Sequence, residues 1–315
     1  MVSVSSVAKT QSKFTLWLKE LRAPFCTASA MPVIIGTAIA YKQTGDVNPV
    51  LSILAVLAAV SIHLGANVAN DYFDHLSGND ERNDNKTPFS GGSRMIQNNL
   101  LGPREILTGS IVFLTIGASL GIAILIITKS PLVLALGVIG ILGGFFYTAP
   151  PLKLGYRTAG EITIGFLFGL LPVYGAYYIQ TGTLDFVPFF PAMIVAVLIF
   201  LVIFANEFPD FEADKAVSKK TLVVSLGIKK AAILYKSALL VLCILAAVYS
   251  IAHLDTLALL ILLMPIIGIS TICFKNAESE KLVQKGYADL SKTTILLHTI
   301  GCITLIAAIL LTKPV

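Results

Sequence analysis

Apolar runs of about twenty residues recur along this 315-residue chain, and each is long enough to cross a hydrocarbon core of roughly 30 Å as an α-helix. Nine can be delimited, at roughly 24–43, 49–70, 105–128, 131–149, 160–180, 186–207, 231–251, 254–274 and 294–312. A single soluble core rarely accommodates so many. With 56% hydrophobic and 13% charged residues and a mean hydropathy of +0.83, the composition is that of an integral membrane protein. In lipid every backbone polar group must be satisfied internally, and these runs are too long for barrel strands. The expected fold class is therefore all-α: one polytopic domain over 1–315, a bundle of about nine transmembrane helices, preceded by a polar segment at 1–22.

The basic residues orient this bundle. With the N-terminus inside, the inner segments hold Lys9, Lys13, Lys19 and Arg22, then Arg82, Lys86, Arg94 and Arg104, then Lys153 and Arg157. Further along they hold Lys215, Lys219, Lys220, Lys229, Lys230 and Lys236, and finally Lys275, Lys281, Lys285 and Lys292. Only Lys42, Lys129 and Lys313 fall outside. By the positive-inside rule this predicts a multi-pass protein of the cytoplasmic (plasma) membrane with a cytoplasmic N-terminus. No cleaved signal peptide is expected, because the first apolar run begins near Phe25 and continues without a small-residue cleavage signature. The four cysteines, Cys26, Cys243, Cys273 and Cys302, are too scattered for a metal or redox motif.

The two longest inner loops, about 71–104 and 208–230, hold eight of the 18 acidic residues. The second run ends in Asn67, Asn70, Asp71 and Asp74, and the sixth in Asn206, Glu207, Asp210 and Asp214. Asn67 with Asp71, Asn206 with Asp210, and Asp210 with Asp214 are i,i+4 pairs, so each set shares a helix face if the helix continues. Both sets read Asn-x-x-x-Asp, an echo too short to prove a repeat. Carboxylates at this spacing repel one another, and the cost rises near lipid. One such cluster reads equally well as a solvated helix end. Two on one face, each led by an amide, fit a hard divalent cation: Mg²⁺ takes carboxylate and amide oxygens and completes its shell with water and substrate phosphates. Zinc is disfavoured, since neither His nor Cys accompanies the acids, and "DYFDHLSGNDER" lacks the ligand alternation of a calcium loop.

Basic residues follow each cluster, as a metal-bound diphosphate leaving group requires. Lys86, Arg94, Lys153 and Lys220 sit in motif-like sequence, with Arg157 and Lys215 nearby; Lys219, Lys229 and Lys230 read as the topology signal itself.

These stretches resemble the UbiA superfamily of intramembrane aromatic prenyltransferases, most of all its 1,4-dihydroxy-2-naphthoate branch in menaquinone synthesis. The matching segments are "LRAPF" before the first run, "ANDYFDHLSGND" at 69–80, "TPFSGGSRMI" at 87–96, "YTAPPLKLGYRTAGE" at 147–161 and "NEFPDFEADKAVSKKTLVVSLG" at 206–227. The last four runs match only in number and hydropathy. In the first motif Gly78 stands where relatives often carry an Asp, with Asp80 two residues later.

The resemblance implies a Mg²⁺ site formed by Asn67, Asp71, Asp74 and Asp80 and another formed by Asn206, Asp210 and Asp214, both facing the diphosphate of a polyprenyl donor. It implies that Lys86, Arg94, Lys153, Arg157 and Lys220 assist departure of the diphosphate, and that Tyr147 shields the allylic cation, with Tyr156 and Tyr72 behind it. Arg22, His63, Asn67, Asn70 and Lys215 become candidate substrate-binding residues; for His63 a packed, hydrogen-bonded role competes. The expected partners are a polyprenyl diphosphate, an aromatic acceptor such as 1,4-dihydroxy-2-naphthoate, and the bilayer. Prenyl transfer to 4-hydroxybenzoate or another lipid or quinone precursor stays open, as does a cation-coupled transporter, although transporter sites usually lie at the membrane midplane. Nothing in the sequence points to nucleic acid, a redox cofactor or lipidation.

Overall fold

The computed structural model describes residues 12–312; Lys9, Lys313 and residues 1–11 of the polar segment lie outside them. Among the described residues all regular structure is helical, and every expected apolar run lies on a helix. These are α1 (Thr27–Thr44), α2 (Pro49–Ser77), α3 (Pro103–Thr128), α4 (Pro131–Phe145), α5 (Gly160–Thr181), α6 (Phe189–Ala216), α7 (Ile228–His253), α8 (Thr256–Asn276) and α9 (Asp289–Leu311). Among the described residues seven helices, α2, α3 and α5 to α9, are long and apolar enough to cross a membrane, against nine expected spans; α4 is shorter and α1 is less apolar over its length.

Local sequence sets the helix ends. Asn48 caps α2 by accepting from the backbone N–H groups of Val50 and Leu51, with Pro49 at the first helical position, where a missing N–H costs nothing. Asp255 caps α8 through the N–H of Ala258. Within α5, the π-helical stretch Gly165–Leu170 widens the helix just before Pro172, whose ring cannot donate.

The bundle is unevenly buried. Half of the apolar window of α6 is inside the protein, against 17% for α3, so α6 is the central post and α3 faces lipid. The main core joins α1 and α5 to α9 through residues such as Phe204, Tyr235, Leu242, Leu262 and Leu297. Helices α5 and α6 touch backbone to backbone: a Cβ on Gly169 would stand 2.4 Å from Cα of Ala196, so only glycine fits this crossing. A smaller cluster of Leu16, Val68, Met95, Ile96, Leu101 and Ile106 seats the N-terminal helix Lys13–Glu20 and the loop after α2 against α2 and α3.

Both acid-bearing helices run past the ends of their apolar stretches, α2 to Ser77 and α6 to Ala216. Their acids are therefore carried on rigid helix rather than loop. Pro209 lies inside α6 and cannot bond to the carbonyl of Ala205; the hydroxyl of Ser291 on α9 donates to that oxygen instead, at 3.3 Å.

Candidate active site

Where α2 and α6 end side by side, a cavity of about 200 Å³ is lined by Asn67, Asn70 and Asp74 of α2 and by Asn206, Glu207, Asp210 and Asp214 of α6. Arg22, His63, Asp80, Tyr147 and Lys219 complete its polar wall. The i,i+4 spacing thus aims Asn70 with Asp74, and Asn206 with Asp210 and Asp214, at one space, whereas Asp71 does not itself line it.

In the first arm, Asp71 accepts from the Arg22 guanidinium at 2.8 Å and from the backbone N–H of Ser93 at 2.8 Å. Asp74 accepts from Asn70 at 3.0 Å and from the Tyr156 hydroxyl at 2.8 Å, and Lys219 Nζ approaches it to 3.4 Å. Asp80 is buried on the short helix Asn79–Arg82, and its carbonyl accepts from Arg94. Burial, together with the charges of Asp71 and Asp74, pushes the Asp80 carboxyl up to about 8. The loop covers Asp80 closely: at Gly92, where φ is +67°, a Cβ would sit 2.5 Å from the Asp80 carboxylate. That close approach is the physical reason for a glycine in "SGGS".

Behind this arm, Glu20 is buried and its carboxylate accepts from the Ser93 hydroxyl. Burial and then the neighbouring Asp71 push it up to about 8. Lys86 Nζ donates to the carbonyl of Ser93 at 3.4 Å, and burial followed by the nearby Arg94 lowers its ammonium below the ordinary lysine range.

The second arm is held differently. Asn79 donates to Asp214 at 2.8 Å and Asn83 to Asp210 at 2.7 Å, so two amides four residues apart match two carboxylates four residues apart. Asn85 extends this clasp, donating to the carbonyl of Pro209 and accepting from the N–H of Gly286 in the α8–α9 connection. Lys219 joins the arms, 3.4 Å from both Asp74 and Asp214. Burial alone would lower its ammonium, but Asp214 and Asp74 outweigh this and hold it well above its ordinary range.

Of the basic candidates, Lys86 and Arg94 stay behind the first arm without lining the cavity, and the structure does not bring Lys153, Arg157, Lys215 or Lys220 into it. All four are exposed. Lys153 lies over the Tyr156 ring, Arg157 bonds to the carbonyl of Leu152, and Lys215 lies near the Phe211 ring. Lys220 meets the site only through its backbone N–H, bonded to the carbonyl of Tyr156. The cause is the turn after α6: Ser218 takes φ of +59°, and Lys219 N–H folds back onto the carbonyl of Asp214. This directs Lys219, rather than Lys220, at the acids. His63 is a cavity wall whose two ring nitrogens bond to Ser29 and to the Asn67 amide, and it stands edge-on to Phe168. The packed reading of this histidine thus describes it, and the bond leaves the Asn67 carbonyl oxygen for the cavity.

The donor set suits magnesium. Among the described residues, no three His, Cys, Asp or Glu side chains converge closely enough to form a metal site unaided. Magnesium needs only one or two carboxylates and takes its remaining oxygens from amides, water and phosphate. Asn206 Oδ1 is buried here with no hydrogen-bond partner, an orphan acceptor beside Asp210 that a cation would satisfy.

Beyond His63, Gly144 and Phe168, which border both spaces, lies a second cavity of about 320 Å³ between α2, α3, α4 and α5. Its lining is almost wholly apolar, including Ala55, Ala58, Ile62, Leu125, Leu136 and Leu167.

A multi-pass helical membrane protein with paired acidic arms at one end and an adjoining apolar chamber has the architecture of an intramembrane enzyme that takes an apolar chain bearing a charged head group. The chain is a member of the UbiA prenyltransferase family, whose sequence profile matches residues 29–310, and it is a prenyltransferase. It is 31% identical over 241 residues to a 1,4-dihydroxy-2-naphthoate octaprenyltransferase of Mycobacterium tuberculosis, spanning 76% of this chain and 80% of that protein. Similarity to the enzyme of the same name from Mycobacterium leprae is 30% over 241 residues, 76% of this chain and 79% of the other. The fold is that of a solved UbiA homologue from Archaeoglobus fulgidus bound to GPP and Mg²⁺, with a TM-score of 0.67 at 16% identity over 93% of this chain and 99% of that one.

Proposed function

We propose that this protein transfers a polyprenyl group from an allylic polyprenyl diphosphate to an aromatic acceptor, 1,4-dihydroxy-2-naphthoate, releasing diphosphate and carbon dioxide and giving demethylmenaquinol, the reduced form of demethylmenaquinone. The observation that carries the reading is the junction of the two cavities: a polar, acid-lined space opens past His63, Gly144 and Phe168 into an apolar one. A diphosphate ester of a long hydrocarbon is the substrate shape that fills both. The names of the mycobacterial relatives and the ligands of the Archaeoglobus homologue support it.

Asn67, Asp71, Asp74 and Asp80 would hold one magnesium ion and Asn206, Asp210 and Asp214 another; bound there, magnesium would neutralise the diphosphate and improve it as a leaving group. Lys219, with Arg22, Lys86 and Arg94 near the first arm, supplies positive charge where negative charge develops on the departing oxygen. The carbon–oxygen bond breaks with its electron pair on the diphosphate, and Tyr147 in the cavity wall would stabilise the allylic cation. The electron-rich acceptor ring attacks at the carboxylated carbon, and carbon dioxide leaves with its bonding electrons returned to the ring. The acid-bearing helix ends face the cytoplasm, and the N-terminus lies on that side of the cytoplasmic membrane.

The test is prenyl transfer by protein in nanodiscs supplied with Mg²⁺, a radiolabelled polyprenyl diphosphate and either 1,4-dihydroxy-2-naphthoate or 4-hydroxybenzoate. Labelled product with the naphthoate alone, abolished by EDTA, is expected. Product with the benzoate alone refutes the acceptor assignment and keeps the transfer chemistry.

A further inference from the structure

Two buried carboxyls stand apart from the carboxylates that the arms engage. Glu207 is 7% exposed and lines the polar cavity one helical turn deeper in the bundle than Asp210. Its carboxyl lies against that of Glu161 on α5, which is fully buried. Oε1 of Glu161 accepts from the backbone N–H of Leu222 at 2.5 Å, which fixes the pair from behind. Oε2 of Glu207 and Oε2 of Glu161 are both buried and meet no amide, hydroxyl or cationic donor among the described residues; the two carboxyls bond to each other, which takes one shared proton. One proton between two carboxyls leaves Glu207, which lines the cavity, with acceptor capacity that a donor on a bound ligand would satisfy.

The cavity's shape decides which ligand. The passage to the apolar cavity lies on the α2, α4 and α5 side, at His63, Gly144 and Phe168, so a hydrocarbon chain leaves by that wall. Another wall of the cavity is α6, where Ile199, Val202 and Ile203 make an apolar face leading to Glu207. That wall suits a flat ring with one polar edge. A carboxyl pair repels a diphosphate and a ring carboxylate alike, whereas a phenolic O–H supplies the missing donor.

We propose that Glu207, positioned by Glu161, binds a ring hydroxyl of the aromatic acceptor on the α6 wall and so selects hydroxylated rings. This rests on the functional reading above. The hydroxyl bond also orients the ring toward the allylic carbon at the mouth of the apolar cavity, so Glu207 touches substrate while Glu161 acts only through it.

The test compares 1,4-dihydroxy-2-naphthoate with the two naphthoates that lack one or the other ring hydroxyl, in the wild type, Glu207→Gln, Glu207→Leu and Glu161→Gln. The wild type should favour the dihydroxy acceptor over one analogue by about ten- to a hundredfold in kcat/KM, the range for a hydrogen bond to a charged group. Glu207→Leu should abolish that preference by raising the acceptor KM, with donor KM and half-saturating Mg²⁺ unchanged within about twofold. Glu161→Gln should weaken the preference in the same direction without erasing it. The isosteric Glu207→Gln keeps the test alive should the leucine variant fold poorly, since it too must narrow the preference. Full retention of the preference in both Glu207 variants overturns the inference, as does a variant whose main defect is in Mg²⁺ saturation, which would make Glu207 a metal ligand. A wild-type protein that prenylates none of the three naphthoates refutes the functional reading itself, a result separate from either of these.

Discussion

The two acidic arms spell nearly the same motif and live in different surroundings. The first is held by charge, since Asp71 pairs with Arg22 and Asp74 faces Lys219. The second is held largely by neutral amides that the first arm's own loop supplies, Asn79 to Asp214 and Asn83 to Asp210. An amide donor satisfies a buried carboxylate without cancelling its charge, while a guanidinium cancels it. The second arm therefore presents more uncompensated negative charge to the cavity than its spelling suggests, and among the described residues Lys219 pairs with an acid of each arm.

The largest effect should come from removing that bridge. Lys219→Met leaves Asp74 and Asp214 without their shared cation, and losing one partner of a buried pair costs about 3–5 kcal/mol. Prenyl transfer should fall by roughly two to three orders of magnitude. An intermediate effect separates the arms: Arg22→Ala should lower kcat/KM for the donor, whereas Asn83→Ala should chiefly shift the half-saturating Mg²⁺, each by about tenfold. Equal shifts of both quantities in both variants would erase the distinction between a charge-held and an amide-held arm. The smallest effect belongs to Lys220→Ala, expected within about twofold of wild type because its side chain is exposed outside the cavity. A loss as large as that of Lys219→Met would mean that the turn at Ser218 rearranges when substrate binds.

What could be read in the sequence followed from repeating geometry. Spacing of four residues places Asn206, Asp210 and Asp214 on one face of any helix, and apolar length marks the bundle, so both were legible. The choice between Lys219 and Lys220 was not, because it depends on one left-handed residue, Ser218, that ordinary helix or loop patterns do not announce. Asn79 and Asn83 were equally hidden: their partners lie 135 and 127 residues away, and nothing local in "GNDERN" points there. Glu161 and Glu207 were visible as acids bordering apolar runs, but only the fold shows that they meet.

The clasp between the arms also has a history in time. Asp74 emerges from the ribosome 145 residues before Lys219, which at about 5–20 residues per second is roughly 7–30 s of synthesis. Asn85 waits longer still, 201 residues, for the N–H of Gly286. Until Lys219 appears, Asp74 has no lysine partner from the second arm, although Arg22 is already made when Asp71 appears. The clasp is thus a late addition to the first arm: it cannot close before α6 has been made, and its Asn85 strut waits for the α8–α9 connection.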